Sequence, residues 1–590
     1  MSTGAMREPN FAVLLGIAWL FIAADLVIKQ WAATGLTLSD TDDAMRLVQM
    51  RELLAGQSWF DLHEPRLGAG YESHWSRLID AGLAGLFLLF HQFVDVALAE
   101  RLMRVVWPVL WLLPAFVAAA AIAWRLAGRD AAIVSLLMAV VGLPAFQQFL
   151  PGRIDHHNVQ ITLAIAVLAA TVWSDRVRWA AAAAGALTGL ALAIGLESLV
   201  FLALCGAAFV LRYVADRGAA RAFAHYGWAL AASSAAAFVV TVGPEHWTHS
   251  VCDAIAVNWA APVVVAGLLM GVAGYMAASE RMMVRIVAAT VIAGIAATIF
   301  LALEPRCLGG PYAMMDPTLR AIWFSHVSEM QPLPAVFRSS PVVAGAVAAF
   351  PTVSILATLI LARERALRRD PAFLLAAAAL LVACALTVAI AKMCMYAMWF
   401  GMPLVAAVCL RLFVRLRLDN LAARAFAAML LTPAVLSAGA SAAVQAAGSP
   451  PLEERDGRVL GGCFKIANYA QLARLPKGMV ATDIDFGSFV LALTPHAALA
   501  GPYHRLSAGI IAAHQAFALP PGEARGILAR FGVTYVVTCG GRPPPALSDA
   551  EREASLWGRL QAGAIPPWLE PVPAGPGEVF AVYRVARNLR

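Results

Sequence analysis

Apolar runs of about 20 residues recur along this chain, each long enough to cross a hydrocarbon core roughly 30 Å thick. They lie near 10–30, 101–124, 131–150, 158–174, 177–193, 196–213, 222–242, 254–276, 284–302, 341–362, 372–391, 393–414 and 422–446. Inside lipid every backbone N–H and C=O must be paired internally, which helices achieve by themselves. The expected fold class is therefore mainly α, a polytopic transmembrane bundle of about 13 spans. Composition agrees, because only 14% of the 590 residues are charged and 61% are hydrophobic, whereas soluble domains carry about 25% charged residues. The run 81–98 contains His91 and Asp95 and reads as a segment lying at the interface. Residues 10–30 are too long for a signal peptide and lack a small-residue cleavage site, so they read as a first span.

Charge orients the bundle. With the N-terminus in the cytoplasm, the inner loops hold Arg125/Arg129, Arg176/Arg178, Arg212/Arg217/Arg221, Arg281/Arg285, Arg363/Arg365/Arg368/Arg369 and Arg411/Arg415/Arg417. Positive residues beside spans favour the cytoplasmic side. The net charge of +7 is then an orientation signal, and no basic face on a soluble segment points to nucleic acid. The expected location is a bacterial inner membrane, with residues 1–446 as the membrane domain. Its long outer segments are 31–100 and 303–340, and 447–590 forms a small α/β outer (periplasmic) domain. The β-branched and aromatic runs 533–538 and 579–583 read as its strands. Four of eight cysteines, Cys252, Cys307, Cys463 and Cys539, fall in or beside outer segments. Cys463 and Cys539 can form a bridge there; buried free thiols are the alternative.

Polar clusters at that outer side carry the chemistry. Asp40, Asp42 and Asp43, followed by Arg46, come just after the first span. Hard divalent cations take carboxylate oxygens and leave positions open for phosphate, although Ser39 and these aspartates also suit a helix N-terminus. Gly152-Arg153-Ile154-Asp155-His156-His157-Asn158 lies in a loop too short to wander, so Asp155 and His157 can reach one ion. Arg153 beside them can hold a carboxylate or a phosphate. Glu329 follows in His326-Val327-Ser328-Glu329. Lys392 ends a span at the same side, where it can grip a lipid phosphate or simply snorkel.

These motifs together resemble the catalytic subunit of oligosaccharyltransferases, in the GT-C class of membrane glycosyltransferases. The aspartate six residues before an arginine (Asp40, Arg46), the Asp-His-His triplet (Asp155, His156, His157), the Val-Ser-Glu of an outer loop (Glu329) and the basic residue near the donor (Lys392) are similar in order and sidedness. The resemblance implies Asp40, Asp155 and His157 as ligands of Mn²⁺ or Mg²⁺. It also implies a donor-phosphate contact at Lys392 and catalytic roles for Asp40, Asp155 and Glu329, the last orienting the acceptor; Arg153 is a second candidate for the phosphate from its own chemistry. Asp42, Asp43, Arg46 and His156 remain further candidates. The family's Trp-Trp-Asp-Tyr-Gly, which reads an Asn-x-Ser/Thr acceptor, has its nearest counterpart in Asp483-Ile484-Asp485-Phe486-Gly487, without either tryptophan. Gly501-Pro502-Tyr503-His504-Arg505 is more similar to outer domains of other GT-C enzymes, and makes Tyr503, His504 and Arg505 candidates.

The implied activity is metal-dependent, inverting transfer of a sugar from a polyprenyl-(pyro)phosphate donor in the bilayer to a protein, glycan or lipid acceptor. A sequon-specific protein oligosaccharyltransferase is the alternative within that class. A transporter or flippase is the alternative outside it, but transporters carry their ionisable sites near the midplane; here Glu197 is the main charge within a span, and the acidic groups cluster at one surface instead.

Overall fold

A computed structural model describes residues 10–68, 70–276, 278–448, 461–540 and 544–586. Each apolar run folds as a helix: α1 (Phe11–Leu36), α4 (Val96–Ala127), α5 (Arg129–Val140), α6 (His157–Trp173), α7 (Ala180–Ile194), α8 (Leu199–Ala215), α9 (Ala220–Thr241), α10 (Val257–Met276), α11 (Met282–Leu303), α14 (Pro341–Leu361), α15 (Pro371–Ala389), α16 (Cys394–Arg415), and the pair α17 (Leu421–Leu430) and α18 (Pro433–Ala446). Between them lie α2 (Thr41–Leu54), α3 (Arg77–His91), α12 (Thr318–Ile322) and α13 (Leu333–Ser339). The protein is a multi-pass helical membrane protein.

The helices differ from the runs in length. Among the described residues, eight are long and apolar enough to cross a membrane, and the α17/α18 pair, bent by 53°, would make a ninth. At 17, 15 and 17 residues, α6, α7 and α8 are shorter. The run 131–150 yields a 12-residue helix, because Gly142-Leu143-Pro144 ends it: proline has no N–H to donate and disfavours helix in the residue before it. The interfacial run becomes α3, capped by Ser76. It buries Ile79, Leu83 and Phe87 and leaves Leu88 and Leu89 half exposed.

Small residues bring helices together in lipid. A Cβ on Gly227 of α9 would meet the Gly267 carbonyl of α10 at 2.6 Å, so the two backbones touch. Trp399 of α16 is fully buried within 5.6–6.2 Å of the rings of Phe149, Phe116 and Phe146.

The two ends of the bundle differ in charge. Arg125, at the end of α4, pairs with Asp175 at 2.7 Å and Asp370 at 2.8 Å, and Arg411 pairs with Glu364. Near the opposite end of α4, Arg104 donates to the Thr34 carbonyl. That opposite end carries the acidic motifs.

Residues 461–586 build a five-stranded mixed sheet there. β3 (Met479–Ala481) is parallel to β4 (Ala497–Ala498) and to β5 (Val533–Thr538); β7 (Ala581–Val585) is antiparallel to β5 and to β6 (Leu569–Pro571), which gives the order β4-β3-β5-β7-β6. The expected strand run 579–583 thus pairs two residues later than its sequence suggests. The first outer segment, with its hairpin of β1 (His63–Glu64) and β2 (Tyr71–Glu72), covers the β4 edge. Gly68 N–H donates to the Ala498 carbonyl, and Ala498 N–H donates to the Arg66 carbonyl, both at 2.8 Å. Cys463 and Cys539 are bridged, and so are Cys252 and Cys307.

Candidate active site

Asp40 caps α2: its Oδ1 accepts from the Asp42 N–H at 2.7 Å. One turn later Asp43 points the same way, and its Oδ1 accepts from the Ile154 and Asp155 N–H groups at 2.6 and 3.0 Å. The loop that supplies those donors turns at Gly152, whose φ is +107° and whose Cβ position lies 2.3 Å from Ser39 Oγ. Only glycine suits both demands, and the turn sets Asp155 beside Asp40 and Asp43. These three carboxylates each offer an oxygen within 4.8 Å of the others.

Arg153 sits among them, 2.5 Å from Asp40, 3.2 Å from Asp43 and 2.5 Å from Asp155. Gln148 Oε1 holds the same guanidinium at 2.7 Å. Three carboxylates thus share one guanidinium. Burial, reinforced by Asp40 and Asp155, pushes the neighbouring Asp42 up to about 8. Burial also raises Asp43 well above the usual carboxylate range, more than Arg153 lowers it. For Asp155, burial acts upward, but Arg153 and His157 outweigh it and hold the group well below that range.

The charges continue in a line. His157 Nδ1 lies 2.9 Å from Asp155, and its Nε2 lies 3.3 Å from Glu197 Oε1. The same Glu197 oxygen lies 3.3 Å from Lys392 Nζ, which also lies 3.2 Å from Glu329. His156 stacks on His157 at 4.4 Å, and burial keeps it neutral. His156, His157 and Glu197 form a second group with ligand-forming atoms within 4.8 Å.

A third group, His74, Asp253 and His504, lies where the outer segments meet the sheet region. Arg505 pairs with both Asp253 oxygens at 2.7 and 2.8 Å, and His504 Nε2 lies 2.6 Å from Asp253. Burial acts to raise Asp253, but the bonds from His504 and Arg505 hold it far below the carboxylate range. Tyr503 is bonded to Ser488 at 2.7 Å and donates to the Thr41 carbonyl beside Asp40. These contacts tie the sheet region to the start of α2 and to the 243–256 segment.

No family model matches the sequence, and no curated protein matches it. Solved structures do. The archaeal oligosaccharyltransferase AglB from Archaeoglobus fulgidus, determined with an inhibitory peptide and a dolichol-phosphate, superposes with a TM-score of 0.66 at 12% identity, over 98% of this chain and 74% of that one. An A. fulgidus oligosaccharyltransferase with Zn and sulfate gives 0.58 at 14% identity, over 97% and 73%. Arabinofuranosyltransferase AftD from Mycobacteria gives 0.50 at 14% identity, over 98% of this chain and 42% of that one. The chain has the fold of a GT-C glycosyltransferase.

Within that GT-C fold the motifs named from sequence converge, with differences in who meets whom. Asp40 and Asp155 are joined by Asp43 rather than directly by His157, which stands between Asp155 and Glu197. Arg153, a candidate for donor phosphate, is engaged by carboxylates and Gln148. Arg46 faces away: fully buried, it pairs with Asp80 at 2.7 Å and lies over the Trp75 ring. Glu197 and Asp253 joined no motif in sequence. The signal for Glu197 was the break Gly195-Leu196-Glu197-Ser198 between two apolar runs; for Asp253 it was an acidic residue next to a cysteine in an outer segment.

Proposed function

We propose that this protein is a metal-dependent glycosyltransferase of a bacterial inner membrane. It would move a sugar or oligosaccharide from a polyprenyl-(pyro)phosphate carrier to an acceptor at the outer face, with inversion at the anomeric carbon. The observation that carries this reading is the grouping of Asp40, Asp43 and Asp155 at one end of a GT-C fold, with Lys392 on the same line of charges. The similar structures support it, since those proteins were determined with dolichol-phosphate, or with zinc and sulfate.

The donor set fits a hard divalent cation: Asp40, Asp43 and Asp155 offer carboxylate oxygens, one from each lying within 4.8 Å of the others. Asp40, Asp43 and Asp155 would hold Mn²⁺ or Mg²⁺, with His157 buttressing Asp155, and the ion would supply positive charge to the leaving phosphate. Lys392 would bind the same phosphate, exchanging its contacts with Glu197 and Glu329 for it. That exchange frees Glu329 to orient the acceptor, which would reach the carboxylates through an adjoining cleft. No side chain in the cluster forms a nucleophile–base pair, so direct displacement, and therefore inversion, is the expected course. His504 and Arg505, locked onto Asp253, would fix the sheet region over the site.

The test is transfer from a labelled polyprenyl-linked sugar pool by the purified protein, with the product's anomeric configuration read by NMR. Inverted product that requires divalent metal is expected. Retained configuration, or donor left untouched under all conditions, would overturn the reading.

A further inference from the structure

A cleft of about 940 Å³ opens from Asp40, Asp42 and Glu329 toward the sheet region, at the upper end of the range for small-molecule sites. On the basis of the proposed transfer, we infer that its occupant is a carbohydrate, and that the acceptor is a sugar hydroxyl rather than a peptide amide.

The cleft wall combines flat apolar rings with hydrogen-bonding side chains. Phe464, Phe486, Phe517 and Trp557 supply aromatic surface, and Thr482, His514 and Arg552 line the same cleft. Pyranose rings have this same duality, with C–H faces that stack on aromatic rings and equatorial hydroxyls that both donate and accept. Thr482 is 3% exposed, and its Oγ1 has no hydrogen-bond partner although it lines the cleft; Arg552 Nε is likewise without one. Buried polar atoms are normally satisfied, and a hydroxylated ligand supplies what both need.

A peptide acceptor is a poorer match. Extended peptides gain affinity by pairing their backbone with a free strand edge. Among the described residues, neither edge strand of the sheet, β4 or β6, lines the cleft, and residues 66–68 already cover β4.

The transfer balances without a further reactant. The acceptor oxygen bonds to the donor's anomeric carbon as the bond from that carbon to the phosphate oxygen breaks. The electron pair leaves with the polyprenyl phosphate, and the hydroxyl proton passes to a carboxylate of the cleft floor.

The experiment uses the full-length protein in detergent with a labelled polyprenyl-linked sugar pool. Two acceptors are compared: membrane glycolipid stripped of its outer sugars, and an Asn-x-Thr peptide. Transfer to the glycolipid alone is expected. Thr482→Val should raise KM for the glycolipid by about tenfold, with a smaller change in kcat, as loss of one buried hydrogen bond predicts; Trp557→Ala, which removes a stacking face, provides a second variant. Transfer to the peptide would overturn the inference and leave the proposed function standing. Donor hydrolysis without transfer to either would also overturn it. An inert donor would remove both. Glycolipid transfer with KM unchanged in both variants would show that the sugar binds elsewhere, against the inference.

Discussion

Gly152→Ala tests whether the site depends on the turn between α5 and α6. The added Cβ would lie 2.3 Å from Ser39 Oγ, and ordinary contact begins at 3.4 Å. The turn must therefore move by the difference, about 1 Å, unless Ser39 yields. A φ of +107° also strains any L residue, at a cost of about 1–3 kcal/mol. Arg153 and Asp155 ride on this turn, so the shift separates Asp155 from Asp40 on α2. A misplacement of about 1 Å can cost about 100-fold in rate. Sugar transfer from the labelled donor pool, with metal affinity by calorimetry, should therefore fall together in the variant. Removing the obstruction separates the two effects: in Ser39→Ala/Gly152→Ala the nearest remaining Ser39 atom is Cβ at 3.7 Å. The double variant should regain most of the transfer while keeping the lower melting temperature due to strain. Wild-type transfer and metal affinity in Gly152→Ala, or a double variant no better than the single, would refute the reasoning.

Other outcomes follow from the same contacts. Lys392→Met removes the cation between Glu197 and Glu329 and should raise the donor's KM by about 10- to 100-fold, the worth of a charged hydrogen bond; an unchanged KM in steady-state assays would count against phosphate binding there. Asp253 is held below its ordinary pKa by His504 and Arg505, so its contribution to stability is present above the unfolded value and lost as pH falls through the carboxylate range below about 4. Thermal melts of Asp253→Asn should accordingly show a flatter acid limb than wild type. The Cys463–Cys539 bridge closes a separation of 76 residues; replacing both with serine should lower stability by up to about 4 kcal/mol, measured by denaturant unfolding of the region carrying the sheet.

How far the sequence reads depends on which physics sets each feature. Hydrophobic length sets the helices, so every apolar run reappears as helix, 422–446 as the bent pair α17 and α18. It does not set where they stop, because that depends on local breakers such as Gly142-Leu143-Pro144 and the break before Glu197. The arginine clusters give an expected sidedness, while the pairing of Arg125 with Asp175 and Asp370 could not be read from them. The candidate site was legible where it is written locally. Asp40 and Asp43 are a cap and its third helical residue, so their shared direction is implied by spacing. What was not legible is pairing across the chain: Arg153 reaching three carboxylates, Arg46 turning to Asp80, and Asp253 meeting His504 and Arg505 some 250 residues later. Such contacts depend on tertiary packing, to which hydrophobic pattern and motif spacing are blind.

The most direct test of the proposed metal dependence is transfer measured on chelator-treated protein as Mn²⁺ or Mg²⁺ is added back, for wild type and for Asp155→Asn. The account predicts that treated wild type is inactive and recovers with metal, while Asp155→Asn stays folded but needs far more metal for far less transfer. Full activity in treated protein with no metal detectable by mass spectrometry, or wild-type metal response in Asp155→Asn, would contradict it.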